Sequence, residues 1–351
     1  MTRIAICAPA TAITPDHARA IEQLVADEFP EHSVYVHPQC FETWGHFAGD
    51  DLTRLTALLD CANDPQFDAV WFAKGGTNRL VAGMAAHFER LGGRMRLGDP
   101  VAHIDMLGDR ATGVTTESGW HADADVVASN GDIVHSYKDL LGQTTRGKQM
   151  AKRLSKKKYS PSLFVVHFGI EGRWPGIPHH MILFGPRYDG LLKDIYDHGV
   201  LPRDFSIYLH HPTVTDPSMA PEGCSTFYAL VPVAHMGKLP IDWDEAGPKL
   251  ERRVLDEVGR RLIPDIHDRI VTKFHYAPPD FARDLSAHMG SAFSLEPILT
   301  QSAFFRAHNR DDVIGNLYFV GAGTHPGAGI PGVVGSAKAT AGLMLEDLGV
   351  R

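Results

Sequence analysis

Apolar residues along this chain fall into short runs that alternate with stretches of helical spacing. Residues 3–8 form an apolar run. Thr14 and Pro15 then open a helix carrying Ala18, Ile21, Leu24 and Val25 on one face. Ser33 to Val36 reads as a second strand. Asp50 or Asp51 starts a helix with Leu52, Leu55, Leu58 and Leu59, and Ala69 to Phe72 is a third strand ending at Gly75-Gly76. Strands alternating with helices predict a parallel α/β layer. Leu80, Val81, Met84, Phe88 and Leu91 predict a further helix, stopped by Gly92-Gly93. Short strands follow around Val101–Ile104, Gly113–Thr116 and Asp125–Ala128. Ser162 to Gly169, Met181 to Phe184, Ser206 to Leu209 and Thr226 to Val233 then read as strands of a second, mixed sheet. Amphipathic helices near residues 188–197 and 245–262 would cover it.

The densest pattern lies near the end of the chain. Leu317 to Val320 is an apolar run stopped by Gly321, which predicts a buried strand. From Val333 onward, Val334, Ala337, Ala341 and Met344 recur at helical spacing. Between them stand Gly321, Gly323, Gly327, Gly329 and Gly332, stiffened by Pro326 and Pro331: five glycines and two prolines in twelve residues. Glycine permits positive φ and close backbone approach, and proline restricts the loop. A strand, a glycine-rich turn and a helix N-terminus present unpaired N–H groups to an electron-rich ligand. Periodicity alone fits a plain strand-to-helix connection equally well, and the density of glycine and proline favours a cofactor. The spacing is G-x-G-x-x-x-G with no acidic residue following at the expected distance, so it is not the dinucleotide fingerprint.

Composition narrows the class. With 44% apolar and 22% charged residues among 351, the chain is of globular type and long enough for one large or two ordinary domains. No run of 18 apolar residues predicts a transmembrane helix, and the first nine residues read as a strand, not a signal peptide. Cys7, Cys40, Cys61 and Cys224 show no paired spacing, which predicts free thiols in a reducing cytoplasm. A net charge of −8 argues against nucleic-acid binding. Residues 1–76 hold 4 Lys and Arg against 11 Asp and Glu, while the other 275 hold 30 against 31. Residues 146–158 carry seven basic side chains and no acid, fitting either a solvated helix or a footing on an anionic membrane surface. The pairs His179-His180 and His210-His211 invite a metal assignment. Neighbours in a regular strand face opposite ways, so neither pair is expected to chelate one ion, and no metal site is predicted.

Several long segments carry a resemblance. They are Trp71-Phe-Ala-Lys-Gly-Gly-Thr-Asn-Arg-Leu-Val-Ala-Gly-Met84, Ala128-Ser-Asn-Gly-Asp-Ile-Val-His-Ser-Tyr137, Phe184-Gly-Pro-Arg-Tyr188, Ala220-Pro-Glu-Gly-Cys224, the run from Gly290 to Arg310, and the stretch Asn316–Met344. In this order they resemble bacterial phytoene desaturases, the FAD-dependent carotenoid desaturases, from about Trp71 to the end. The opening is similar instead to LD-carboxypeptidases, the serine peptidases that cut muropeptides. Ile4-Ala-Ile-Cys-Ala-Pro-Ala10, Gly45-His-Phe-Ala-Gly-Asp50 and Asp68–Gly76 carry that likeness. The two meet inside Trp71–Gly76, as in a fusion. The Gly-Tyr-Ser-Asp turn of the peptidases is absent, and so is any G-x-S-x-G elbow.

The resemblance implies an α/β protein with a fold of the FAD-linked reductase type lacking its N-terminal dinucleotide-binding unit. A mixed-sheet substrate domain (residues 146–289), an FAD-domain remnant (77–145 and 290–351) and an N-terminal parallel α/β fragment (1–76) would make it up. It implies FAD as hydride acceptor and a lipophilic C40 polyene as substrate. A cytoplasmic location, peripheral on the inner face of the cell membrane, would follow. Cofactor contacts would come from Ser129, Asn130, Gly321, Gly323, Gly327, Gly329, Gly332, Val333 and Val334, with the two valines at the helix N-terminus facing the flavin ring. Asn130 or Asp132 would serve equally well as a simple helix cap. His325, the one titratable group in the glycine loop, is the candidate proton shuttle and catalytic residue, or a loop histidine bonded to backbone. Phytoene desaturases open with a G-x-G-x-x-G turn that holds the FAD pyrophosphate, and residues 1–76 contain none. FAD binding by this chain is therefore expected to be weak or absent. The alternatives are an LD-carboxypeptidase fragment or an inactive fusion product.

Overall fold

The computed structural model describes residues 2–8, 12–44, 48–72 and 76–350. Pro9, Ala10, Gly45–Phe47 and Ala73–Gly75, which carry parts of the expected motifs, lie outside the described residues. The chain divides into two compact units, Met1–Arg96 with Pro212–Met219, and Leu97–His211 with Ala220–Arg351.

The first unit is a three-stranded parallel sheet in which β1 (Thr2–Cys7) lies between β2 (His32–Val36) and β3 (Ala69–Phe72). Helices α1 (Pro15–Glu28), α2 (Asp51–Asn63) and α3 (Gly76–Arg90) connect and follow the strands. Their starts are set locally. The Thr14 hydroxyl accepts the His17 N–H at 3.2 Å, and Asp50 accepts that of Thr53 at 2.8 Å, each satisfying one of the orphan donors of a first turn. Alternation along β1 sends Ile6 and Ala8 to one small core, with Ala18, Cys40 and Ala48, and Ala5 and Cys7 to another with Cys61. Both cores consist mainly of small residues. Leu24, Leu52 and Leu59, expected on buried faces, are exposed, as are Val81, Met84 and Phe88 of α3.

The second unit opens with an antiparallel meander, β4 (Val101–Leu107), β5 (Arg110–Thr116) and β6 (His121–Asp123). Next, β7 (Val127–Ser129) pairs in parallel with β13 (Leu317–Phe319). One apolar cluster joins these elements: Ile104, Ala111 and Val127 pack with Ile133, Tyr137, Leu295, Ile314, Leu317 and Phe319. It includes residues of α4 (Ile133–His135) and α5 (Thr145–Leu154).

The larger sheet has the order β12-β8-β11-β10-β9. Its strands are β8 (Ser162–Glu171), β9 (His180–Leu183), β10 (Ile207–His210), β11 (Cys224–Val233) and β12 (Ile270–Tyr276). Every neighbouring pair is antiparallel, where a mixed sheet was expected. Strand patterns report which face is buried but not which neighbour a strand takes, so direction was not legible. One face is dry. Phe164, Val166, Phe168, Phe227, Ala229, Val231, Ile207 and Leu209 pack on α7 (Trp243–Arg261), through Leu250, Val254 and Val258, and on Ile266 of α8 (Ile266–Arg269). The short helices α6 (Tyr188–Lys193) and α9 (Pro278–Leu285) flank it, and α10 (Ile330–Leu348) closes the chain.

Candidate functional site

Because β7 and β13 are parallel, both carboxyl ends open at the same side, where ligands of α/β proteins gather. The register sets Phe319 beside Ser129, and the Val320 N–H donates to the Ser129 carbonyl at 3.0 Å. Segments 129–132 and 320–332 therefore leave the pair together. The Oδ1 of Asn130 lies 2.3 Å from where a side chain on Gly321 would begin, so Gly321, at φ 104°, must be glycine.

The five loop glycines separate into two groups. A Cβ on Gly321 would strike Asn130, one on Gly323 would come within 3.1–3.2 Å of Ile133 and Ser294, and one on Gly332 would lie 2.6 Å from the Gly327 carbonyl oxygen. These three let the protein pack on itself. Gly329 (φ 90°) has nothing within 4 Å of that position, and Gly327 meets only the Arg306 guanidinium, at 3.6 Å or more. The open part of the loop is thus Ala328–Gly329, both exposed, while Gly327 is buried against Arg306. It leads directly into α10, whose cap residue, Gly329, has no side chain to occupy the first-turn N–H groups. Those of Ile330 and Gly332 stand at the positive end of a 19-residue helix. Val333 is half-buried and Val334 exposed in the next positions.

Buried polar side chains hold this loop in place. Arg306, 3% exposed, donates from Nε to the Thr324 carbonyl at 3.0 Å, and its terminal nitrogens reach the Ala322 and Leu295 carbonyls. Burial lowers its pKa from the usual arginine value. The Asn309 amide donates within a cage made by the His325 carbonyl and the hydroxyls of Ser336 and Thr340, each 3.0 Å away. The Ser336 hydroxyl accepts the Gly321 N–H at 3.0 Å, and that of Thr340 donates to the Phe319 carbonyl at 3.0 Å. Helix α10 therefore packs through Ser336 and Thr340, while Val334, Ala337 and Ala341, the stripe expected to be buried, are exposed. Nearby, Asp311 is fully covered. Its Oδ2 accepts the Tyr137 hydroxyl at 2.5 Å and Arg146 Nε at 3.1 Å, and its Oδ1 accepts the Val313 and Ile314 N–H groups. Burial pushes the Asp311 pKa up, but the Ile314 N–H, the Tyr137 hydroxyl, the Val313 N–H and Arg146 together hold it below the usual carboxylate value.

The remaining candidates are placed as follows. The Ser129 hydroxyl is buried and shared with Ser136 (2.8 Å) and the Gly131 N–H (3.3 Å), so its side chain serves the fold. Asp132, not Asn130, caps α4. Asn130 is exposed and lines, with Ser129, Gly131, Val127 and His135, a cleft of about 350 Å³. His325 is exposed, with its backbone N–H donating to the Ala307 carbonyl and its carbonyl held by Asn309. The motif assigned no roles to Arg306, Asn309, Ser336 and Thr340. The only available signal was the polar pair Ser336 and Thr340 at i, i+4 inside an otherwise apolar helix.

A flavin fits this cradle on the structure's own terms. Open space faces Gly329, the helix end is free of a side-chain cap, and among the described residues the loop presents no carboxylate to repel an electron-rich ring edge. The Ser294 hydroxyl, buried against Gly323, also lacks a hydrogen-bond partner.

The comparisons agree with this class of site. The chain belongs to the flavin containing amine oxidoreductase family, which matches residues 13–345. Within it, the chain is 59% identical over 279 residues to a phytoene desaturase (lycopene-forming) of Paracoccus sp., covering 80% of this chain and 56% of that protein. It is 52% identical over 279 residues to that of Pseudescherichia vulneris, covering 80% and 57%. The chain thus spans little more than half the length of these relatives. An oxidoreductase from Methanosarcina mazei shares the fold, with a TM-score of 0.50 at 17% identity over 77% of this chain and 54% of that one. The family match runs across residue 76 without a break, so the expectation that residues 1–76 come from a peptidase finds no support.

Proposed function

We propose that the chain carries the flavin-ring end and the substrate sheet of an FAD-dependent carotenoid desaturase acting on a lipophilic C40 polyene. The observation that carries this is the uncapped α10 N-terminus beside the open Ala328–Gly329 segment, in a chain 59% identical to a phytoene desaturase over 80% of its length. Bound FAD would supply the hydride acceptor that side chains cannot. The chain's residues would do the rest. The Ile330 and Gly332 N–H groups would face the electron-rich edge of the ring, with Val333 and Val334 shielding it from water. The Asn130 amide would lie at the rim of the adjoining cleft. Arg306 and Asn309 would keep the loop fixed, and His325 would hold or release a proton at the exposed margin.

The pyrophosphate end is the weak point of the site. A G-x-G-x-x-G turn lends backbone N–H groups to two negative charges, and residues 1–76 contain no such turn. Two or three lost contacts at ~1.5–3 kcal/mol each would weaken FAD by several powers of ten. The protein should therefore purify colourless and yield coloured polyene from phytoene-loaded liposomes only with a large excess of FAD. Absence of product at saturating FAD would refute the reading. A peripheral membrane footing is supported by Lys148, Lys152, Arg153, Lys156 and Lys158, all exposed, whereas Arg146 is committed to Asp311. Each exposed charge near anionic lipid adds ~1 kcal/mol, and co-sedimentation with anionic but not neutral vesicles tests it. No helix among the described residues is long and apolar enough to cross a membrane. The alternative, LD-carboxypeptidase activity, has no nucleophile turn to support it.

A further inference from the structure

Three imidazoles meet on the outward face of the antiparallel sheet. Alternation along β10 sends Ile207 and Leu209 into the core and Tyr208 and His210 outward. Register then sets His210 opposite Tyr228 of β11 on one side and His180 of β9 on the other. His179 precedes β9, so strand alternation does not send it to the far face, and its Nε2 lies 2.9 Å from that of His210. One ring nitrogen from each of His179, His180 and His210 falls within 4.8 Å of the other two. The sequence argument considered each adjacent pair alone and missed a set assembled across two strands. His211 takes no part: it turns inward, stacks on Phe227 at 4.1 Å and bonds the Ile177 carbonyl through Nδ1.

We propose that His179, His180 and His210 form a binding site for a divalent transition-metal ion of tetragonal preference, copper(II) or nickel(II). Metal–imidazole bonds are about 2.0–2.1 Å long. Nitrogens 2.9 Å apart subtend about 90° at an ion held at that distance, the cis angle of a tetragonal site and well short of the tetrahedral angle zinc adopts. The widest of the three separations has to close by less than about 1 Å for all three to ligate, and His180, exposed at the rim, is free to make that movement. The surroundings suit the role. The Tyr208 hydroxyl sits 2.7 Å from Nδ1 of His180, the outer-shell contact that orients a ligating imidazole. His210, which would ligate through Nε2, has no such contact, its Nδ1 being buried without a hydrogen-bond partner. Three protein ligands leave further coordination positions open, so a bound ion would keep exchangeable water. The site stands on the sheet alone and does not depend on the flavin reading.

The test uses the full chain, free of any histidine tag and stripped with chelator, titrated with copper(II) or nickel(II) and followed by calorimetry and by the visible or paramagnetic spectrum of the metal. One equivalent should bind with a nitrogen-rich ligand field. His180→Gln, at an exposed position that cannot unfold the sheet, should lower affinity at least 100-fold, and His210→Ala should do the same. Tyr208→Phe should cost roughly 10–100-fold. Absence of stoichiometric binding by the native chain would overturn the proposal. So would a single equivalent whose affinity and spectrum are unchanged in His180→Gln, since the ion would then sit elsewhere.

Discussion

The five-stranded sheet and the glycine loop are held together in opposite ways. The sheet is fixed by apolar burial: Phe164, Val166, Phe227 and Leu209 against Leu250 and Val254. The loop is fixed by polar side chains: Arg306 on three carbonyls, and Asn309, Ser336 and Thr340 around the chain reversal. A packed apolar surface leaves no room beside it. A polar scaffold can fix a backbone from one side and leave the other side open, which is what a ligand needs. The glycines follow the same division: Gly329 faces space, and the other four pack on the protein.

Substitutions can break this comparison. The largest effect is expected from Phe227→Ala in the sheet, about 3–5 kcal/mol from lost burial and a residual cavity. Denaturant unfolding would register it, and affinity for free flavin, measured where the variant remains folded, should stay unchanged. Next comes Asp311→Ala, which strips partners from Tyr137, Arg146 and two N–H groups and should cost roughly 3 kcal/mol. Ser336→Ala removes the acceptor of the Gly321 N–H and should cost only ~1 kcal/mol in stability. It should nevertheless weaken flavin binding more than Phe227→Ala does, because it loosens the loop itself. If the sheet substitution were the one that lost flavin affinity, the division of labour would be wrong.

A pH titration sharpens the comparison from the sheet side. His235, buried at 6% exposure, has its pKa pushed down to about 4 by burial, with Lys238 and His288 adding to it. Its neutral form is the folded one, so the unfolded chain binds the extra proton between that value and the ordinary histidine range. The stabilisation is complete above pH ~6.5 and is lost as pH falls toward 4, with a limiting slope of ~1.4 kcal/mol per unit. Asp311, held low, adds its loss only below the usual carboxylate range. Thermal unfolding in His235→Gln should shrink the first of these two phases, to which the other buried or half-buried histidines also contribute, and keep the second.

The sequence made the first kind of region legible and much of the second obscure, for one reason. Apolar periodicity marks a face that must leave water. It located β1, β3, β8, β11 and α7 within a few residues. β12 escaped notice because Val271 and Phe274 point outward and are exposed, so its pattern has no buried face to announce. The loop's position and glycine content were evident, but its supports were not. Arg306 and Asn309 are polar residues in a motif without period, and α10 packs by Ser336 and Thr340 against the direction of its own apolar stripe. Which glycines face space depends on Asn130, Ile133 and Ser294 arriving from elsewhere in the chain, and no local pattern encodes that.

The central claim is that this chain holds a flavin by its ring alone. Titrating the purified protein with FAD, with FMN and with riboflavin, and following flavin fluorescence, tests it most directly. The account predicts weak binding of all three with nearly equal affinity, reduced for each by Gly329→Val, which fills the open space beside the α10 N-terminus. FAD bound tightly and stoichiometrically, or preferred over riboflavin by several powers of ten, would contradict it and would mean that residues of this chain grip the pyrophosphate.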